Sequence, residues 1–144
     1  MECELCRGAG GVLLWRNDFC RVVAVDEPGL PGFLRVVLER HVREMTDLGE
    51  AERTRFMAAV FAVEAHVRRS LQPDKMNLAS LGNVTAHLHW HVIPRWNGDR
   101  HFPGPVWAAP KHDDPVPEAR VAAAKRMTET LPAALATLDP RSEA

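Results

Sequence analysis

His87-Leu88-His89-Trp90-His91-Val92-Ile93-Pro94-Arg95 places three histidines at alternate positions in an otherwise apolar run. A β-strand turns successive side chains to opposite faces. This spacing therefore sends His87, His89 and His91 to one face and Leu88, Trp90 and Val92 to the other. Polar groups withdrawn from water without partners are costly, so three imidazoles side by side are a poor way to fill a core. They suit chemistry near neutral pH, where imidazole changes charge. From the residues alone two chemistries stay open. Alternate histidines can present two nitrogens to one metal ion, or one histidine can act as a nucleophile flanked by helpers.

Around this run the pattern predicts an α+β fold: an antiparallel sheet of about five strands covered by one long helix. Val12 to Trp15 and Phe19 to Asp26 read as strands joined by a turn at Arg16-Asn17-Asp18. Residues 27–32 are rich in proline and glycine and read as a loop; Phe33 to Leu38 is a third strand. Asp47-Leu48-Gly49-Glu50 has the form of a capping box, with Asp47 as N-cap. Phe56, Val60, Val63, Val67 and Leu71 then fall at helical spacing as one core stripe, with His66 read as a surface or boundary residue and Pro73 as the stop. Lys75 to Leu81 is the fourth strand, Gly82-Asn83 a turn, and the histidine run the fifth strand. Residues 96–117 read as an extended loop, and 117–138 as a helix interrupted at Pro132. The expected organisation is a domain over 1–107 followed by a C-terminal extension over 108–144.

Length and composition narrow the function. At 144 residues with 46% hydrophobic and 26% charged side chains, the chain can bury a core without disulfide staples. A net charge of -1 argues against a broad surface for a nucleic-acid polymer. No apolar run approaches a membrane span and no signal-peptide pattern opens the chain, so a cytoplasmic protein is expected. Cys3 and Cys6 form C-x-x-C, which in a reducing compartment reads as metal-binding or redox-active; Cys20 reads as a small buried hydrophobe.

The run also fits the pattern His-φ-His-φ-His-φ-φ, with φ apolar, and so resembles the histidine triad (HIT) family. The flanking order agrees over roughly residues 1–107: Asp26 after an apolar strand, a glycine-containing loop, a strand closed by His41, the capped helix, the Asn77 strand, then the triad. The stretch from Leu81-Gly82-Asn83 through Asp99, Phe102, Pro103, Pro105 and Trp107 is similar to bacterial members described as diadenosine tetraphosphate hydrolases or HIT-family hydrolases. The resemblance implies a HIT-like homodimer that attacks the α-phosphate of a nucleotide derivative, a dinucleoside polyphosphate or nucleoside phosphoramidate, with no organic cofactor. It makes His89 the nucleophile of a nucleotidyl-histidine intermediate. His91 would orient it and contact the phosphate, Asp26 would face the ribose hydroxyls, and Asn77 and Asn83 would contact the nucleotide. Asn83 stands where many relatives have glutamine. A neutral imidazole is a competent nucleophile provided its other nitrogen is held as a donor. The strand offers no lysine or phosphate loop, so histidines and backbone amides are expected to offset the phosphate charge.

Some members of the family carry zinc on an N-terminal C-x-x-C and two histidines. Cys3, Cys6, His41 and His87 match those positions, and two thiolates with two imidazoles would form a closed, structural site. Two departures weaken a phosphoramidase assignment. Gly32-Phe33 replaces a Gly-His pair, and Val84 stands where many members have a serine serving the leaving group. Arg95, Arg100 and His101 are candidate phosphate contacts, and Trp96 and Trp107 candidate base-stacking residues. Two alternatives remain: a zinc-dependent hydrolase using all three strand histidines, and a non-catalytic nucleotide-binding module.

Overall fold

Adjacent β-branched pairs, Val22-Val23, Val36-Val37 and Val92-Ile93, build the centre of the sheet and are buried on both of its faces. In the structure, a computed structural model describing residues 2–138, the strands are β1 (Val12–Arg16), β2 (Cys20–Ala24), β3 (Leu34–Leu38), β4 (Lys75–Ala79) and β5 (His89–Arg95). They form one antiparallel sheet in the order β1-β2-β3-β5-β4. The helices are α1 (Glu4–Arg7), α2 (Glu50–Leu71) and α3 (Glu118–Ala134).

Alternation divides the sheet into two faces. Cys20, Val22, Leu34, Val36, Leu38 and Val92 face the α2 stripe of Phe56, Val60, Val63 and Val67, all buried. Met127 and Leu131 of α3, with Leu135, complete the same core. The helix of the C-terminal segment thus shares the hydrophobic core of the sheet. Phe19 packs edge-on against Phe56, their ring centroids 6.1 Å apart. The opposite face carries Arg21, Val23, Arg35, Val37, His89 and His91. The N-terminal segment covers part of it, burying Cys3 and Leu5 against Val23 and Val37.

Several local expectations are corrected. Gly49, not Asp47, caps α2; the Asp47 side chain instead closes a box with Glu44 around a 3-10 turn at Met45–Asp47. α2 ends at Leu71 on a left-handed Gln72, before Pro73. α3 runs over Pro132, because proline lies in the last turn, where few backbone bonds remain to be lost. His66 is buried; its Nε2 lies 3.0 Å from the Met127 carbonyl and 3.0 Å from Thr130 Oγ1, which ties α2 to α3. His87 and Leu88 precede β5 rather than opening it.

Residues 96–117 hold no helix or strand, yet their first half is firmly anchored. The Asp99 carboxylate accepts from Arg95 Nε at 2.8 Å and Nη2 at 3.0 Å, and from the backbone N–H groups of Trp96, His101 and Phe102. Burial alone would raise this carboxyl; the Arg95 hydrogen bonds and backbone donors outweigh it and hold the pKa at about 2. Arg95 is 2% exposed, so removing Asp99 would strand a buried guanidinium. Asp99→Ala is expected to lose about 3–5 kcal/mol of unfolding free energy in a urea titration.

Candidate active site and metal centre

His89 and His91 stand on the face of β5 away from α2, two residues apart, their rings edge to face at 4.9 Å. They line a cleft of about 700 Å³ together with Arg35, Gly10, Asn83, Thr85 and Trp107. The cleft lies between the N-terminal segment, the loop before β5 and the 96–117 loop. Gly10, at φ +89°, is a position where a Cβ would strike the Leu5 side chain, so glycine lets the N-terminal segment close over the sheet edge.

One short hydrogen bond sets the chemistry of His89. Its Nδ1–H donates to the His87 carbonyl at 2.6 Å. A carbonyl can only accept, so the proton sits on Nδ1 and Nε2 keeps its lone pair. Burial lowers the His89 pKa, and the Arg35 charge acts in the same direction against the bond to His87. The ring therefore stays neutral. His91 is pushed further, to about 4, by burial and then by His89 and Arg35. Its ring is wedged among His89, Phe33 at 5.6 Å and Trp107 at 5.0 Å, and its Nδ1 is buried without a partner. Phe33, which replaces a histidine in the resemblance, thus supplies an apolar edge against His91.

The third histidine serves a different cluster. His87 Nε2–H donates to the Leu38 carbonyl at 2.6 Å, which turns Nδ1 toward Cys3 Sγ at 3.4 Å, Cys6 Sγ at 3.5 Å and His41 Nδ1 at 3.2 Å. Cys6 Sγ lies 3.4 Å from His41 Nδ1. All four ligand atoms fall within 4.8 Å of one another. Around one ion with bonds of about 2.05 Å to nitrogen and about 2.3 Å to sulfur, tetrahedral edges are about 3.3 Å between nitrogens and about 3.5 Å from nitrogen to sulfur. The observed spacings fit that shape, and the Leu38 carbonyl supplies the outer hydrogen bond that orients a ligating histidine. The donor set suits zinc in a closed site. Among the described residues this is the one group of histidines, cysteines and carboxylates that could hold a metal, so His87, His89 and His91 do not converge on a shared ion.

The remaining candidates are spread more widely. Asn83 lines the cleft, as does Val84, which is almost fully exposed. Asp26 is exposed and outside the set of cleft-lining residues. Asn77 Oδ1 accepts from Arg95 Nη1 at 2.8 Å, so both side chains are engaged with each other. Arg100 pairs with Asp113 at 3.0 Å, His101 Nδ1–H donates to the Ala108 carbonyl, and Trp96 lies under the Arg120 guanidinium at 4.2 Å. Of the two tryptophans only Trp107 reaches the cleft. Arg35 was not anticipated. An arginine at the second position of an apolar strand, on the parity opposite Leu34, Val36 and Leu38, was the available signal.

Depressed histidine pKa values have a signed consequence. The unfolded chain binds a proton on histidine near pH 6.5, whereas folded His91 refuses it until about pH 4. Stability is therefore present above that window and is lost as pH falls through it. The melting temperature of the wild type is expected to drop between pH 7 and pH 5 by more than that of His91→Asn in parallel scanning calorimetry. Equal drops would refute this assignment.

The comparisons with known proteins concern the family and the fold. The HIT domain family model matches residues 10–98. An AP-4-A phosphorylase of Mycobacterium tuberculosis (strain CDC 1551 / Oshkosh) is 32% identical over 98 residues, covering 64% of this chain and 50% of that protein. The chain thus spans about half the length of that relative. A histidine triad protein from Marinobacter aquaeolei VT8 superposes with a TM-score of 0.71 at 28% identity, covering 91% of this chain and 94% of that one. A Zn-bound histidine triad family protein from Mycobacterium smegmatis shares the fold, with a TM-score of 0.62 at 23% identity over 91% and 94% of the two chains. With the family match running from the N-terminal turn past β5, and the three histidines set as described, the chain belongs to the HIT domain family.

Proposed function

We propose that this protein is a nucleotide hydrolase or transferase acting on the α-phosphate of an adenosine dinucleotide such as diadenosine tetraphosphate, with His89 as the nucleophile. The observation that carries the reading is the 2.6 Å bond from His89 Nδ1 to the His87 carbonyl, which leaves Nε2 unprotonated beside the cleft. His89 Nε2 attacks the α-phosphorus. A P–N bond forms as the P–O bond to the leaving group breaks, and the leaving oxygen departs with the bonding pair. Water or a phosphate oxygen then attacks the same phosphorus, and the P–N pair returns to Nε2. Water as acceptor gives a nucleoside monophosphate, and phosphate gives a nucleoside diphosphate. The relative named as a phosphorylase supports including the second acceptor. His91 orients the transferred phosphate, Asn83 contacts it at the cleft mouth, and Trp107 offers its exposed face to a base. Asp26 and Asn77 are assigned to the nucleotide by the family resemblance, which requires Asn77 to exchange its Arg95 contact for the nucleotide.

In this reading Cys3, Cys6, His41 and His87 hold a structural zinc that pins the N-terminal segment beside β5 and the His87 carbonyl beneath His89. The protein is taken as a cytoplasmic homodimer, for which β4, a sheet edge, offers an open ladder. No described helix is long and apolar enough to cross a membrane.

Two measurements test the assignments. His89→Ala should reduce diadenosine tetraphosphate turnover to below about one-thousandth of wild type while keeping the melting temperature. Mass spectrometry after brief mixing should find the nucleotidyl group on His89 in the wild type. Residual activity within a few fold, or label on another residue, would reject the nucleophile. Protein purified without added metal should contain about one zinc per chain, and Cys3→Ser should lower both zinc content and melting temperature. Less than about 0.2 equivalents, with Cys3→Ser equally stable, would reject the site.

A further inference from the structure

We propose that Arg35 is a phosphate-binding residue that gives the cleft its preference for substrates whose leaving group is a polyphosphate. The inference rests on the reading of His89 as nucleophile, and names the substrate feature that the same cleft selects.

Arg35 lies directly across from His91 in the β3–β5 register and lines the cleft with both histidines. The only other ionisable lining residue besides the two neutral histidines is Glu4, so Arg35 is the one fixed cation among the described lining residues. It is also poorly compensated by the protein. The neighbouring Arg21 pairs with Glu39 and donates to the carbonyls of Leu5, Gly8 and Ala9. Arg95 has Asp99, Asn77 and the Gly104 carbonyl. Arg35 donates Nη1–H to the Gly10 carbonyl at 3.1 Å, its Nε–H is buried without a partner, and no described carboxylate lies within ion-pair distance. A guanidinium carries five N–H donors in a planar fork that matches phosphate oxygens. A half-buried guanidinium that faces a cleft with a donor unpaired and no carboxylate in contact, Glu27 acting on it only at longer range, suits an anion that arrives from solution.

His89 meets the transferred phosphorus. Arg35 stands across from His91 on the neighbouring strand, and on this reading the next phosphate of a dinucleoside polyphosphate extends toward it. That phosphate belongs to the leaving group, and Arg35 would offset the charge that develops on it as the P–O bond breaks. The amine of a phosphoramidate brings no such charge and gains nothing there.

The test compares wild type, Arg35→Lys and Arg35→Met. Inorganic tripolyphosphate binding by calorimetry needs no turnover, so it stands or fails independently of His89. Arg35→Met is expected to weaken it by about tenfold or more, with Arg35→Lys intermediate. In kinetics, the ratio of kcat/KM for diadenosine tetraphosphate over adenosine 5′-phosphoramidate should fall by about tenfold or more in Arg35→Met. Unchanged tripolyphosphate affinity, or equal losses on both substrates, would overturn the proposal. Melting temperatures of the variants control for folding; if Arg35→Met fails to fold, Arg35→Lys carries both measurements, with a loss in each expected and wild-type values refuting. A wild type that binds tripolyphosphate through Arg35 but turns over neither substrate would refute the His89 reading and the leaving-group preference, and leave only the anion site.

Discussion

The carbonyl of His87 accepts the Nδ1–H of His89 at 2.6 Å, while the ring of the same residue donates to Leu38 and faces Cys3, Cys6 and His41. One residue therefore joins three parts of the molecule. Its backbone decides which nitrogen of His89 carries the proton. Its Nε2–H locks it to the end of β3. Its Nδ1 draws the N-terminal C-x-x-C onto the sheet. If His87 shifted, the His89 ring would lose its acceptor and could protonate at either nitrogen, so orientation of the neutral imidazole depends on this anchor.

The two faces of the sheet divide the work. The α2 and α3 side is an aliphatic core in which each strand residue meets side chains from helix stripes. The other side is only partly covered, and charges placed there must find partners or a ligand. Arg21 and Arg95 find partners inside the protein, and each thereby holds a loop. Arg21 collects carbonyls of the N-terminal segment, and Arg95 with Asp99 fixes the turn after β5. The cleft lies where this covering stops. Burial and the Arg35 charge keep His89 and His91 neutral there, and the same charge is the proposed anion contact. A site that attacks phosphorus needs both: an uncharged nucleophile and an offset for phosphate oxygens.

The secondary elements were largely legible because each is a local repeat. The α2 stripe and the alternation in β5 follow from periods of 3.6 and 2, while β2 and β3 showed as short apolar runs bounded by turn residues. The errors fell where partners came from elsewhere in the chain. Asp47 could cap α2 by its spacing, yet Glu44 captured it. His66 looked like a boundary residue until α3, sixty residues later, covered it. Arg95 looked like a phosphate contact, but Asp99 four residues on and Asn77 on the next strand take up its donors. Arg35 at the cleft was not foreseen, because nothing within β3 marks which strand will lie beside it.

By itself the sequence determined the alternation that puts His89 and His91 on one face and the apolar stripe that covers the other; the set Cys3, Cys6, His41 and His87 came from the family resemblance. The alternation and the stripe are properties of residue order and backbone geometry, written in neighbouring positions. The tertiary structure alone decided that His89 is protonated on Nδ1, that His87 leaves the strand to serve a separate cluster, and that Arg35 and Trp107 join the histidines at the cleft while Asn77 turns to Arg95. The His89 bond is local, two residues back, but needs His87 out of the strand; the others depend on cross-strand register or on a loop docking from far along the chain, and long-range pairing has no period that a local reading can detect.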